Sequence, residues 1–361
     1  MHSRGFMLMR LFYLSSQFKK KIRRFPALIL ITSLLVFLVF TLHIALGSIS
    51  LSLSDTIVAL FHPRANALAT IVIWHLRLPR TLIGLMAGAM FGLAGVLLQC
   101  ITRNPLAEPG TMGITSGSIL MIVAWFSFLP ISAQSILFLP LVAFIGGLGA
   151  GGLIYILNWY GKTDPLRLAL LGVVVNAVLQ SGTVLLLIFS HQLLDGLLLW
   201  LIGSLNGRTW DHWAVLWPWA VLTFPLAIAS AAVANALSLG DEVARGLGLR
   251  VEAMRVLLFL LATLLAAAAI SAMGGIAFIG LIGPHIARKL VGSDNRRVFL
   301  LSPLLTAGLL LVADIIARLL LLHIPWFSSA STLPVGVVTA LLGAPFFLYL
   351  SSYTAKRSRQ G

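Results

Sequence analysis

Ionisable residues are scarce in this chain, and where they cluster sets the chemistry open to it. The densest group lies in the stretch Leu237–Leu249, where Asp241, Glu242 and Arg245 fall within five positions. Asp241 and Arg245 are four apart and share a helix face. Ser238, three residues before Asp241, makes a capping-box start, and Gly246 and Gly248 supply a stop. The spacing therefore predicts a polar helix of two turns at most. Each charge would cost about 2.5–3.5 kcal/mol at a bilayer centre, and Arg250, Glu252 and Arg255 follow closely, so the stretch is placed in water. A solvated loop with incidental charges and a contact surface for a partner protein fit this spacing equally well.

A second group is sparser. Arg77 and Arg80 stand in Arg-Leu-Pro-Arg, and Arg318 stands four residues after Asp314. The three arginines can snorkel to a membrane interface, form a basic rim for acidic residues of a partner, or, for Arg318, pair with Asp314. Asp314 can also be read as a proton-coupling carboxylate, since acids inside membrane segments are functional by default. Spacing does not choose among these. No catalytic constellation is present, and the eight histidines show no metal-ligand spacing. Gly161-Lys162-Thr163 resembles the end of a phosphate-binding loop, but that loop needs a glycine where Ile156 stands, so it is set aside. The single cysteine, Cys100, excludes a disulfide framework and a cysteine-based metal site.

The elements that must position these groups are membrane helices. Of 361 residues, 59% are hydrophobic and 10% charged, against about 25% charged in soluble domains, so the class is an all-α polytopic membrane protein. A net charge of +15 would suggest nucleic acid in a soluble chain. Here the basic residues sit in short loops and tails, and no nucleic-acid partner is expected. Ten spans are predicted, near 27–47, 68–101, 114–129, 136–160, 167–190, 212–234, 253–273, 281–291, 297–322 and 333–351. The first is read as an uncleaved span rather than a signal peptide, whose apolar core would be shorter. Gly84, Gly88, Gly92 and Gly95 in the second admit a close neighbour. Gly280, Gly283 and Pro284 are expected to interrupt the eighth, and residues 191–206 read as a partial helix at the surface. With the amino terminus inside and ten alternating spans, 20 of the 25 Lys and Arg fall on the inner side. Both termini are therefore expected in the cytoplasm, with the 237–249 stretch beside them. The layout is a basic segment over 1–26, a membrane domain over 27–351 and a basic tail over 352–361.

Motifs then narrow the class. Arg77-Leu-Pro-Arg80, Gly84, Gly88, Gly95, Gln99, Arg103-Asn104-Pro105-Leu-Ala-Glu-Pro-Gly110, Leu239-Gly240-Asp241-Glu242-Val-Ala-Arg245-Gly-Leu-Gly248, Gly275-Ile-Ala-Phe-Ile-Gly280, Gly283-Pro284-His-Ile-Ala-Arg288, Leu333-Pro334-Val-Gly336 and Gly343-Ala-Pro345-Phe occur in this order. Together they closely resemble the iron-siderophore and vitamin B12 permease family of ATP-binding-cassette (ABC) importers, across about 65 to 351. The resemblance implies a ten-span, type II ABC importer permease fold in the cell inner (cytoplasmic) membrane. It implies a second permease subunit, identical or not, two copies of a separate ATPase that use ATP and Mg, and an extracytoplasmic substrate-binding protein. This chain would bind no cofactor or metal and catalyse nothing itself. Gly240, Asp241, Glu242, Arg245 and Gly248 match the family's coupling helix, which seats in a groove of the ATPase. Arg77, Arg80 and Arg318 match arginines that receive glutamates of the docked binding protein. The implied cargo is an iron(III)-siderophore complex, with haem or vitamin B12 as the alternative. The alternative from another class is a proton-coupled secondary transporter using Asp314. One departure stands out: many members carry Glu before Leu-Pro-Val-Gly, where this chain has Thr332, after a lengthened loop over Leu322–Ser331.

Overall fold

The computed structural model describes residues 25–47, 51–61, 67–130, 134–159, 165–189, 194–323 and 333–358. Thr332, Lys162 and nearly all of the basic leader lie outside the described residues. The chain folds as helices α1 (Phe25–Ala45), α2 (Leu53–Phe61), α3 (Ala67–Ile71), α4 (Leu78–Thr102), α5 (Ile114–Phe128), α6 (Leu139–Trp159), α7 (Pro165–Phe189), α8 (Leu194–Ile202), α9 (Trp210–Ala229), α10 (Ala231–Ser238), α11 (Asp241–Gly246), α12 (Val251–Met273), α13 (Ile279–Val291), α14 (Asn295–His323) and α15 (Val335–Ser358). Among the described residues, eight helical segments are long and apolar enough to cross a membrane, and α5 is a shorter apolar helix. At 1.5 Å per residue, the 13 residues of α13 reach only about 20 Å, less than a hydrocarbon core.

The core is built around α4, which packs against α14, α12, α13 and α9. It continues from a π-helical turn over Val72–Arg77, and Pro79, which has no N–H to give the preceding turn, follows directly on it. Its glycines form one stripe. A Cβ on Gly88 would lie 2.8 Å from Ala307 Cα, and one on Gly84 would lie 2.9 Å from Leu205 Cδ1. Gly92 faces Thr306 Oγ1, and Gly95 faces the Gly280 carbonyl. Close backbone approach of this kind replaces the hydrophobic drive that lipid removes.

Two expectations about elements are corrected. The glycines near 280 do not break the eighth span: α13 runs unbroken from Ile279 to Val291. They admit neighbours instead, Gly283 against Thr306 and Gly280 against Phe91 O. Pro284 has no N–H for the Gly280 carbonyl four residues earlier, and that carbonyl is the one Gly95 packs upon. The partial helix near 191–206 is not a surface element at its far end. Leu197 and Trp200 of α8 are buried. The chain beyond joins other segments by backbone bonds: Gly275 N–H to Trp200 O (2.9 Å), Ser204 N–H to Met273 O (2.8 Å) and Gly336 N–H to Gly203 O (3.0 Å). Gly336 has no room for a Cβ beside the Ile202 carbonyl.

Candidate coupling and docking sites

The polar stretch after α10 forms the expected short helix, α11, but it starts differently. Gly240, at φ 121°, is the N-cap, a backbone conformation open to glycine. The capping box does not form: Ser238 Oγ donates to Ala234 O (2.7 Å) and accepts from Asn295 Nδ2 (3.3 Å). At the other end Gly248 N–H bonds to Arg245 O (2.9 Å) and Leu249 N–H to Ala244 O (3.1 Å), the Schellman pattern, with Gly248 left-handed at φ 83°. Ala244 is buried, while Glu242, Val243, Arg245 and Leu247 project outward. Asp241 does not pair with Arg245. It is held by Arg103 at the end of α4 and by Arg255 Nη2 (2.7 Å) on α12. Partial burial pushes its carboxyl up, but Arg103 and Arg255 outweigh that and hold it below the usual range. Asp241 therefore anchors the helix, and Glu242 and Arg245, neither of them in an ion pair among the described residues, face whatever lies beyond.

The arginine group lies at the opposite end of α4, about 37 Å away along its 25 residues. It is not an exposed rim. Asp314 is fully buried and accepts from Arg80 Nε (2.9 Å) and Nη2 (2.7 Å), from Arg318 Nε (3.0 Å) and Nη2 (2.7 Å), and lies 2.9 Å from His43 Nε2. His43 Nδ1 in turn lies 2.8 Å from Thr81 Oγ1, so α1 is tied to α4 and α14 through one carboxylate. Arg318 and Asp314 form the internal ion pair that their spacing allowed. Arg77, 5% exposed, turns inward and donates to the carbonyls of Ile44 (2.8 Å) and Ala45 (2.7 Å). Asp314 is thus a carboxylate shared by two guanidiniums inside the fold.

A pocket of about 220 Å³ remains at this end, lined by Arg77, Arg80, Arg318, Asn206 and a residue the motifs did not mark, Arg208. Arg208 lies over the Trp200 ring (4.7 Å) and donates to Ser204 O (3.3 Å). Its Nη1 lies 3.1 Å from His212 Nε2, and His212 Nδ1 accepts the Thr209 backbone N–H (3.3 Å) in a capping box that starts α9. Burial and the Arg80 charge push its guanidinium down to about 10. Four guanidiniums thus share a pocket in which Asp314 pairs with two. Its sequence signal is the charge count: Arg208 is one of the five Lys and Arg that ten alternating spans leave on the outer side.

Between the two ends lies a cavity of about 390 Å³, lined in part by Asn104, Glu108, Thr115, Asn176, Thr183 and Phe278. Glu108 is 4% exposed and accepts the Phe278 N–H (3.1 Å). Burial pushes its carboxyl up to about 7, against the pull of that N–H. Asn104 Oδ1 accepts from Leu106 N–H (2.9 Å), the turn expected of Asn before Pro105. Pro334 precedes α15, Val337 N–H bonds to its carbonyl (3.2 Å), and Pro345 lies inside that helix. Among the described residues, no group of three or more His, Cys, Asp or Glu could hold a metal.

A helical bundle with a charged knuckle at one end and an arginine pocket at the other is the architecture of an ABC importer permease. It matches the structure of a metal-chelate type ABC transporter in an inward-facing conformation, with TM-score 0.75 and 28% identity, over 91% of this chain and 99% of that one. The model of the FecCD transport family matches residues 34–352, and the chain belongs to that family. It is 38% identical over 331 residues to the iron(3+)-hydroxamate import system permease protein FhuG of Bacillus subtilis, covering 89% of this chain and 95% of that protein. It is 40% identical over 280 residues to the Fe(3+) dicitrate transport system permease protein FecD of Escherichia coli, covering 77% and 84%.

Proposed function

We propose that this chain is one half of the translocation unit of an importer for iron(III)-siderophore complexes, seated in the cytoplasmic membrane with both termini inside. It pairs with a second permease subunit, rests on two ATPase subunits that consume ATP and Mg, and receives cargo from an extracytoplasmic binding protein. The observation that carries this is α11: anchored through Asp241 and Ala244, it presents Glu242, Val243, Arg245 and Leu247 outward. Charged and apolar residues exposed together on a short rigid projection suit a protein groove rather than lipid or water alone. The cargo class is supported by the relatives, whose names record iron(3+)-hydroxamate import and Fe(3+) dicitrate transport.

The permease performs no covalent chemistry. Nucleotide binding selects one of two arrangements of the bundle because the ATPases hold α11 differently in each. Movement of α11 displaces the inner ends of the spans as rigid bodies. At the outer end, the arginine pocket accepts an acidic side chain of the binding protein. The test is reconstitution with the cognate ATPase and partner permease in vesicles supplied with a ferric hydroxamate. Uptake is expected only with ATP, and Arg245→Glu should abolish it while the chain stays in the membrane. Uptake without nucleotide, or undiminished uptake by Arg245→Glu, overturns the reading.

A further inference from the structure

The connection between α4 and α5, residues 103–113, touches both the knuckle and the cavity. At its first residue, Arg103 ion-pairs with Asp241 and donates from Nε to Leu237 O (2.9 Å), so the loop begins bonded to α11 and α10. Five residues later Glu108 accepts the N–H of Phe278, at the corner between α12 and α13. Arg103 (φ 50°) and Phe278 (φ 63°) are the only non-glycine residues with positive φ among the described residues. Such conformations persist only where surroundings over-determine them, and they cluster at sites that move or bind.

Within itself the loop is closely bonded. Glu108 N–H donates to Thr111 Oγ1 (3.0 Å), whose hydroxyl donates to Glu108 O (3.0 Å). Met112 N–H bonds to Glu108 O (3.1 Å), Ala107 N–H to Asn104 O (3.1 Å) and Gly113 N–H to Gly110 O (3.3 Å). Asn176 Nδ2 on α7 donates to Gly110 O (2.7 Å). A segment of this kind shifts as one piece rather than absorbing a displacement at its end.

We propose that residues 103–113 are a rigid strut that carries the displacement of α11 to the Phe278 corner and so to the cavity wall, with Arg103 and Glu108 as the positioning residues at its two ends. This rests on α11 being the ATPase-facing element. Each step is a direct bond, so the strut makes a coupling claim that can be measured. The reporter is the Phe278 amide, read by hydrogen exchange on the full chain in lipid nanodiscs, with neither cargo nor nucleotide. Failure of uptake thus leaves this measurement readable, and failure of the strut leaves the importer reading standing.

Arg103→Gln is expected to speed exchange at Phe278 by about tenfold, since its protection depends on local opening. Glu108→Ala should do at least as much, and the double variant no more than Glu108→Ala alone, because both act through one contact. Arg103→Lys, which keeps the charge, should restore most of the protection. Arg255→Gln, which removes the other partner of Asp241, should leave Phe278 unchanged. Exchange in α5 and α14 reports whether each variant is folded. Phe278 exchange within about twofold of wild type in a folded Arg103→Gln, or additive effects in the double variant, overturns the proposal.

Discussion

Replacing Asp314 with Asn tests whether the outer network is structural. The carboxylate receives four guanidinium N–H bonds of 2.7–3.0 Å from Arg80 and Arg318 and lies 2.9 Å from His43, with no exposure to solvent. Asparagine has the same shape but removes the negative charge that both arginines share and turns N–H donors toward two guanidiniums that are themselves mostly buried, 16% and 15% exposed. Breaking a buried pair from one side costs about 3–5 kcal/mol, because the charge left behind has neither water nor partner. The same loss is expected here, measured as the shift in unfolding free energy when the chain is titrated with denaturant in mixed micelles and followed by tryptophan fluorescence. Replacing the whole group, Asp314→Leu with Arg80→Met and Arg318→Met, should recover most of that stability, as apolar substitutes for buried ion pairs do. An unfolding free energy for Asp314→Asn within about 1 kcal/mol of wild type, the range of an ordinary surface change, would refute the reasoning. So would full stability accompanied by loss of a proton-driven transport, which would return Asp314 to the role of a carrier.

Three further outcomes follow from the geometry. With its carboxyl raised from 4.5 to about 7, Glu108 keeps its proton in the folded chain over a range where the unfolded chain has released it. Stability should therefore fall by on the order of 3 kcal/mol as pH rises through that window, and Glu108→Gln should flatten the curve; equal slopes in both proteins count against it. Gly95→Ala places a methyl group against the Gly280 carbonyl and should cost about 1–3 kcal/mol of unfolding free energy, as overpacking does, in the same micelle titration. Arg208→Gln should weaken capture of the binding protein, read by surface plasmon resonance on nanodiscs, and the loss should persist at high salt because Arg208 is buried and buried charges are screened little.

Much of this architecture was legible because its causes are local. Long apolar runs gave the spans, since only helices satisfy their own backbone in lipid. The i, i+4 glycines of α4 announced close packing, and the charge density at Asp241–Arg245 announced a projection into water. What could not be read was pairing across distance. Asp314 and Arg318 are four apart, but His43 and Arg80 come from 271 and 234 residues away. No spacing rule connects them, so the carboxylate that Arg80 and Arg318 share is visible only in the fold. Ser238 looked like a cap because Asp241 stood three residues on, yet Asn295 claimed its hydroxyl. Glu108 passed as one letter of a motif, since only the fold shows that its carboxyl is buried and accepts the backbone N–H of Phe278.

The backbone bonds that join Trp200, Gly203 and Ser204 to Met273, Gly275 and Gly336 have a mechanical consequence. They are bonds between backbone groups at or beside glycines with no room for a Cβ, and three stretches of chain share a fulcrum. From that point α12 runs 23 residues, about 34 Å, to Val251, next to the knuckle. A tilt of about 5° around such a pivot swings the far tip by about 3 Å, for a lever of that length. Small rotations deep in the bundle and useful strokes at the knuckle are then the same motion seen from opposite ends of one arm.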